Sequence, residues 1–182
     1  MTALLRILAH RAPVLVLASA LLAACAGNPD SVKADFDHGL AAYDGGDYAT
    51  AFHLWDGIKN DDLAAMRNVA VMLRTGQGAP KNPAKARKLF AEAADGGLSS
   101  AAYNLGQMLI AGEGGKRDVK TGLIWMERAA PSQPMAAAEL GEIYRKGKLV
   151  PVDLIKARNF LAMAAAAGDT QSARTLAQMP LH

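Results

Sequence analysis

Few residues in this chain have side chains that could carry catalytic or metal-binding chemistry. Its 182 residues include one cysteine, Cys25, and four histidines, of which His38 and His53 lie fifteen residues apart. No set of carboxylates and cysteines accompanies these histidines at the spacing of metal ligands. The hydrolase motifs G-x-S-x-G, S-x-x-K and H-E-x-x-H do not occur. We therefore interpret both histidines as partly exposed structural residues and expect no enzyme, no metal site and no cofactor.

The composition is typical of closely packed helices rather than of a disulfide-rich or nucleic-acid-binding protein. Hydrophobic residues make up 51% of the chain and aromatic residues only 5%. Alanine, which favours helices, is the main apolar residue. A single cysteine excludes an intrachain disulfide framework. The formal charge of +3 is too small to indicate nucleic acid as a partner.

An apolar segment near the amino terminus predicts export from the cytoplasm. Arg6 and Arg11 precede residues 12–24, an uncharged run of 13 residues. This run is shorter than the roughly 20 residues that a membrane-spanning helix needs. It ends in Leu22-Ala23-Ala24-Cys25, which resembles the lipobox of bacterial lipoproteins. A plain signal peptide with an incidental cysteine, or a buried helix, is the alternative interpretation.

The lipobox resemblance implies both a processing step and a location. It implies a signal peptide at 1–24, lipidation of Cys25 and a short tether at 25–30. Removal of the signal peptide takes away two arginines and lowers the formal charge from +3 to +1. Ala26 stands where an aspartate resembles an inner-membrane retention signal. We therefore expect an outer-membrane lipoprotein that faces the periplasm and is anchored to the membrane through Cys25.

The rest of the chain repeats itself with a period of about 35 residues, as helical repeat proteins do. A shift of 35 residues places Leu105-Gly106 on Leu140-Gly141, and a shift of 36 places Ala93-Ala94 on Ala129-Ala130. The glycines that follow the apolar residues of the first half of each copy keep the same spacing. They are Gly76, Gly112 and Gly147. Each period therefore predicts one structural unit.

Each unit is predicted to be a pair of helices. In the middle unit, Ser99 or Ser100 is expected to cap the first helix and Asp118 the second, while Gly112 ends the first helix. Gly106 lies inside that first helix, where glycine costs about 1 kcal/mol relative to alanine. Its recurrence at Gly141 predicts that the two helices of a unit touch backbone to backbone at this position.

These motifs resemble the Sel-one-like repeat (SLR) family, a relative of the tetratricopeptide repeat. The resemblance rests on Leu105-Gly106, the glycine-rich loop at 112–115, Trp125-Met126 and Ala129-Ala130. It implies an all-α protein, folded as a right-handed α-solenoid of helix-turn-helix repeats. The third copy departs from the family pattern in its loop, where residues 148–151 (Lys-Leu-Val-Pro) replace the glycines.

After the tether, the resemblance divides residues 31–182 into five parts. Three SLR repeats are preceded by a degenerate tetratricopeptide-like repeat and followed by a capping helix with a tail. In chain order these parts are residues 31–60, 61–97, 98–133, 134–169 and 170–182.

The SLR resemblance further implies binding of a protein or peptide partner on the concave face, which the first helices form. Mapping of the tetratricopeptide pattern places nine candidate contact residues there: Phe36, Tyr43, Arg67, Arg74, Tyr103, Gln107, Glu142, Arg145 and Arg174. Because arginine donates two parallel hydrogen bonds to a carboxylate, these arginines predict an acidic or carboxylate-bearing partner segment. The alternative is an ordinary solvated helix surface.

We predict on this basis a lipid-anchored adaptor or scaffold in a cell-envelope system for secretion, polysaccharide export or cell-wall maintenance. A catalytic or accessory hydrolase of cell wall or lactams is one alternative, and a surface-exposed or secreted ligand for another cell is the other. Two basic clusters either face anionic lipid or cell-wall polymer or simply increase solubility. They consist of Lys81, Lys85, Arg87 and Lys88, and of Lys116, Arg117 and Lys120.

Overall fold

The computed structural model of the protein describes residues 28–180, so the predicted signal peptide and Cys25 lie outside the described residues. This part of the chain contains nine α-helices and no strand. In chain order the helices are α1 (Pro29–Asp44), α2 (Tyr48–Ile58), α3 (Leu63–Thr75), α4 (Pro83–Asp95), α5 (Ser99–Ala111), α6 (Val119–Ala129), α7 (Pro134–Lys146), α8 (Leu154–Ala166) and α9 (Thr170–Gln178). Among these helices, none combines the length and the apolar character needed to cross a bilayer.

The helices pack in pairs, and each pair packs on the next. The closest associations are α1 with α2, α3 with α4, α5 with α6 and α7 with α8, and the second helix of each pair also contacts the first helix of the following pair. The predicted all-α solenoid of repeats is thus confirmed. Its core runs through the array as one series of fully buried side chains, which includes Val69, Phe90, Met108, Met126, Leu140 and Leu161.

Short polar side chains fix most helix starts. Asp118 Oδ1 accepts a hydrogen bond from the Thr121 amide at 3.0 Å and caps α6 as predicted. The predicted serine cap of α5 is wrong. Leu98 occupies the N-cap position without a side-chain hydrogen bond, and Ser99 is already the first residue of the helix. Gly112 ends α5 in the left-handed conformation that favours glycine.

Glycines inside the helices let paired helices approach closely, as the sequence predicts. A Cβ atom at Gly106 would lie 2.4 Å from Met126 Cγ and 2.8 Å from the carbonyl oxygen of Gly122 on α6. At Gly141, the same space is filled by Leu161, whose Cγ would lie 2.6 Å from the added Cβ. Backbone takes part in both contacts, because the backbone nitrogen of Leu161 would lie 3.1 Å from a Cβ at Gly141.

The first unit is held together by aromatic side chains. Trp55 fills the space beside Gly39, and its Nε1 donates a hydrogen bond to the Phe36 carbonyl at 3.2 Å. The Tyr43 ring lies 5.6 Å from the Trp55 ring. Helix α1 begins at Pro29, so the last two residues assigned to the predicted tether are helical instead.

Loop glycines join successive units. A Cβ at Gly78 would lie 2.1 Å from the Tyr48 carbonyl oxygen, and one at Gly114 would lie 2.3 Å from the Pro83 carbonyl oxygen. In both cases the loop rests on the start of the second helix of the preceding unit. Because Gly78 contacts Tyr48, the first unit packs directly on the rest of the array.

The loop of the last repeat departs from this arrangement. Leu149 stands at the position of Gly78 and Gly114, and its side chain is 37% exposed. An apolar groove of about 410 Å³ lies between this loop and α6. Its apolar lining consists of Val119, Leu123, Ile124, Leu149 and Val150.

Candidate functional site

A second groove, of about 580 Å³, lies on the face formed by the first helices of the units. We call it the first-helix groove. Helix α7 contributes most of its lining, and α5 and α9 contribute the rest. The lining residues are Tyr103, Met135, Ala138, Glu139, Glu142, Arg145, Lys146, Asp169, Gln171, Ser172 and Thr175.

Tyr103 and Gln107 from α5 hold the carboxylate of Glu139 on α7. The Tyr103 hydroxyl donates to Glu139 Oε2 at 2.8 Å. Gln107 Nε2 donates to Tyr103 Oη at 2.8 Å and to the same Glu139 oxygen at 3.0 Å. Burial of the phenol, together with the hydrogen bond to Glu139, raises the pKa of Tyr103. Tyr103 is therefore a protonated donor throughout the physiological pH range.

Glu142 forms an ion-paired cluster with the end of α7. Arg145 binds its carboxylate with two hydrogen bonds, Nε to Oε1 at 3.1 Å and Nη2 to Oε2 at 2.8 Å. Lys146 Nζ also lies 2.8 Å from Glu142 Oε2. The Arg145 hydrogen bonds, followed by that of Lys146, lower the pKa of Glu142 to about 2. The guanidinium predicted to receive a partner's carboxylate is thus already paired with a carboxylate of its own helix.

The same is true of Arg74. Its Nε lies 2.8 Å from Glu113 Oε2, and about a quarter of each side chain is exposed. At the equivalent position in the first unit, the Tyr43 hydroxyl donates to Gln77 Oε1 at 3.5 Å. Gln77 and Glu113 each lie between the two glycines of a unit's loop. Arg74 and Tyr43 therefore join a first helix to the loop of the following unit.

The remaining candidate residues lie outside the first-helix groove. Phe36 is half-buried against Trp55, with ring centroids 6.0 Å apart. Arg67 donates through Nη1 to Asn68 Oδ1 at 2.9 Å, while its buried Nε has no hydrogen-bond partner among the described residues. Arg174 is exposed and does not line the groove. Of the nine predicted residues, the structure brings together Tyr103, Gln107, Glu142 and Arg145.

Sequence reasoning missed Glu139, and on α9 it named Arg174 rather than the residues that line the groove, Gln171, Ser172 and Thr175. Glu139 lies 36 residues after Tyr103, which is about one repeat, so neighbouring units bring the two side chains together. Asp169 caps α9 by accepting from the amides of Gln171 and Ser172, each at 3.2 Å. The Ser172 hydroxyl also donates to Asp169, and this hydrogen bond lowers the pKa of the carboxyl.

Neither histidine belongs to this groove. His38 on α1 and His53 on α2 are both exposed. Residues 28–180 contain no group of three or more histidine, cysteine, aspartate or glutamate side chains placed to hold a metal ion. The arrangement in the groove positions hydrogen bonds and charges, and the Ser172 hydroxyl is used to cap α9 together with Asp169.

The two predicted basic clusters meet in the structure. Arg87 Nη1, from α4, donates to the Lys116 carbonyl at 3.0 Å. Arg117 Nε turns back to the Ile110 carbonyl at 2.8 Å. The lysines of both clusters are exposed, so the two clusters form one basic surface beside α4.

Stacked helix pairs with a side-chain-lined groove define a helical repeat protein. The Sel1 repeat matches the sequence at residues 63–98, 99–130 and 134–169, which is more than half of the chain. The protein belongs to the Sel1 repeat family. Proteins with these repeats are generally non-catalytic scaffolds for protein–protein interaction.

Solved structures of the same family are similar to this chain. The crystal structure of a Sel1 repeat protein from Oxalobacter formigenes matches with a TM-score of 0.71 and 29% identity, over 78% of this chain and 58% of that one. The crystal structure of c5321, a protective antigen present in uropathogenic Escherichia coli strains that displays an SLR fold, matches with a TM-score of 0.74 and 26% identity. That match covers 81% of this chain and 33% of c5321, so the chain spans only part of both neighbours. No curated protein matches it.

Proposed function

We propose that the protein is a non-catalytic adaptor of the bacterial cell envelope that binds a protein partner in the first-helix groove. The observation that carries the proposal is the pre-arranged polar lining of this groove. Tyr103, Gln107 and Glu139 fix one another across two units, and Glu142 is held by two cations. Because these side chains are already ordered, a partner that contacts them loses little side-chain entropy of the adaptor on binding.

The location is part of the same proposal. The lipobox-like residues Leu22-Ala23-Ala24-Cys25 support anchoring by a lipid on Cys25, and Ala26 supports the outer membrane, with the array in the periplasm. The partner then belongs to a secretion, polysaccharide-export or cell-wall system. We expect Cys25→Ser to abolish incorporation of labelled fatty acid and to release the protein from membrane fractions. A Cys25→Ser protein that still carries lipid contradicts the anchor.

Cross-linking in living cells tests the groove as the binding surface. Met135 lines the groove and is 62% exposed, whereas Met163 is 39% exposed on α8 and does not line it. A photo-reactive amino acid is placed at each position in turn. We expect a discrete protein adduct from position 135 and not from position 163. The absence of an adduct at position 135, or identical adducts at both positions, rules out the groove.

One comparison favours a second candidate function. The similar E. coli protein c5321 is a protective antigen present in uropathogenic strains. By analogy, this protein would be a surface-exposed or secreted ligand for another cell. Protease treatment of intact cells separates the two candidates, because a periplasmic array survives and a surface-exposed array is degraded.

A further inference from the structure

Of the three carboxylates that line the first-helix groove, Glu139 and Asp169 form no ion pair with residues 28–180. Both hydrogen bonds to Glu139 come from neutral donors, the Tyr103 hydroxyl and the Gln107 amide, and both go to Oε2. The other oxygen, Oε1, accepts no hydrogen bond from residues 28–180. Neutral donors stabilise a carboxylate without cancelling its charge. Glu139 therefore presents a full negative charge to the groove.

The other charges that face the groove are engaged within the protein. Arg145 and Lys146 both bind Glu142, which leaves that cluster with one surplus positive charge at the carboxyl end of α7. Asp169 accepts hydrogen bonds from two amides at the start of α9, where the helix dipole favours an anion. Glu139 precedes Arg145 by six residues, about 9 Å along the helix axis. Neither Arg145 nor Lys146 forms an ion pair with Glu139, since both bind Glu142.

The shape of the groove suits a long side chain with a charged end. Met135 and Ala138 give one wall an apolar surface, and Ser172 and Thr175 line the groove from α9. Lysine and arginine side chains combine an aliphatic stem with a cationic head, so the stem can pack on apolar atoms while the head binds a carboxylate. A carboxylate-bearing side chain would instead meet Glu139 as a like charge.

We propose that the first-helix groove receives a lysine or arginine side chain of the partner protein on the carboxylate of Glu139. The inference rests on the proposed function and specifies the side chain that the groove recognises. It reverses the sequence-based prediction of an acidic partner segment. The reason is that Arg74 and Arg145, on which that prediction depended, are paired with Glu113 and Glu142.

Peptide binding to the purified full chain, kept in a nonionic detergent, tests this inference. Three blocked pentapeptides with the sequence Gly-Ala-X-Ala-Gly carry lysine, glutamine or glutamate at X, and binding is followed by nuclear magnetic resonance of the Tyr103 ring. We expect the lysine peptide to bind about fivefold more tightly than the glutamine peptide, the ratio that one exposed ion pair provides. We expect no gain for the glutamate peptide.

Two isosteric variants identify the responsible carboxylate. Glu139→Gln keeps an oxygen that accepts from Tyr103 and loses only the charge, so we expect it to abolish the preference for lysine. Glu92→Gln removes the same charge from an exposed position on α4 outside the groove, and we expect the preference to remain. Equal binding of all three peptides, tighter binding of the glutamate peptide, or an unchanged preference in Glu139→Gln overturns the inference.

The cross-linking experiment tests the proposed function and the peptide experiment tests the role of Glu139, so either hypothesis can be contradicted without the other. An adduct at position 135 together with equal peptide binding leaves the adaptor function in place and removes the role of Glu139. No adduct at position 135 removes the groove from the proposed function, whatever the peptides do.

Discussion

Gly106 and Gly57 are both glycines within helices, but only Gly106 is in contact with a neighbouring helix. A Cβ at Gly106 would overlap Met126 and approach the Gly122 backbone, whereas one at Gly57 would meet nothing within 4 Å. The same substitution therefore has opposite expected effects at the two positions. At Gly106 the added methyl must displace packed atoms, and at Gly57 it only restricts the unfolded chain.

We accordingly expect Gly106→Ala to lower the free energy of unfolding by about 1–3 kcal/mol, the usual cost of overpacking. We expect Gly57→Ala to raise it by about 0.5–1 kcal/mol. Urea denaturation followed by circular dichroism measures both values. Equal effects of the two substitutions would mean that α5 and α6 are not in close contact at Gly106.

Glu142 gives the stability of the protein a dependence on acid. Its pKa is about 2 in the folded protein, below the ordinary 4.5. A group with a lowered folded pKa stabilises the fold above its unfolded pKa, and this stabilisation disappears as the pH falls towards the folded value. We expect wild type to be more stable than Glu142→Gln at pH 6, with a difference that shrinks between pH 4.5 and about 2. Urea denaturation across this pH range measures it, and a constant difference contradicts the ion pair.

Single residues also show how far sequence reasoning extends to the site. The pairing of Glu142 with Arg145 follows from a spacing of three residues on one helix and was predictable in principle. The pairing of Arg74 with Glu113 spans 39 residues and depends on the path of a loop, which no spacing rule gives. The tetratricopeptide pattern did not give Glu139 as a candidate, because the residue that Glu139 contacts, Tyr103, lies on the neighbouring unit.

At the scale of the element, some helices begin with a side-chain cap and others begin without one. Asp118 accepts a hydrogen bond from the Thr121 amide, while Ser99 makes no such bond at the start of α5. We expect Asp118→Ala to lower the free energy of unfolding by about 0.5–2 kcal/mol. Ser99→Ala is the matched control, with an expected change of less than about 0.5 kcal/mol. Thermal denaturation measures both changes. A large loss of stability in Ser99→Ala would support the serine cap that the sequence predicted and contradict the uncapped start of α5.

The type and order of the elements were predictable because the apolar period and the terminal glycines recur in every unit. The start of α5 was not, because Leu98 has no capping side chain and serine is the more usual choice. The start of α1 at Pro29 was also unexpected, although proline is common in the first turn and Asn28 Oδ1 accepts from the Asp30 amide.

At the scale of the whole molecule, the contact between Gly78 and Tyr48 couples the first unit to the other three. Gly78 and Gly46 both have positive φ angles, +71° and +83°, but a Cβ at Gly46 would meet nothing within 4 Å. Alanine at either position therefore incurs the cost of left-handed backbone, about 1–2 kcal/mol. Only Gly78→Ala also forces the loop away from Tyr48 and so loosens the contact between the first unit and the second.

We expect Gly78→Ala to accelerate amide hydrogen exchange in α1 and α2 and to leave α5 and α6 nearly unchanged. We expect Gly46→Ala to leave α1 and α2 packed on the rest of the array, so that amide hydrogen exchange in these two helices increases less than in Gly78→Ala. Mass spectrometry of peptic fragments resolves these segments. Uniform acceleration along the whole chain would show that the array unfolds as one cooperative body.

Leu149 has a consequence for lengthening the array by design. A copy of residues 98–133 inserted after residue 133 brings its own Gly-Glu-Gly loop, which can seat on the start of α6 as Gly114 seats on Pro83. A duplicate of residues 134–169 brings leucine to that place, and each added copy would reproduce the open groove. The two modules thus build extended proteins with different surfaces, one smooth and one notched at regular intervals.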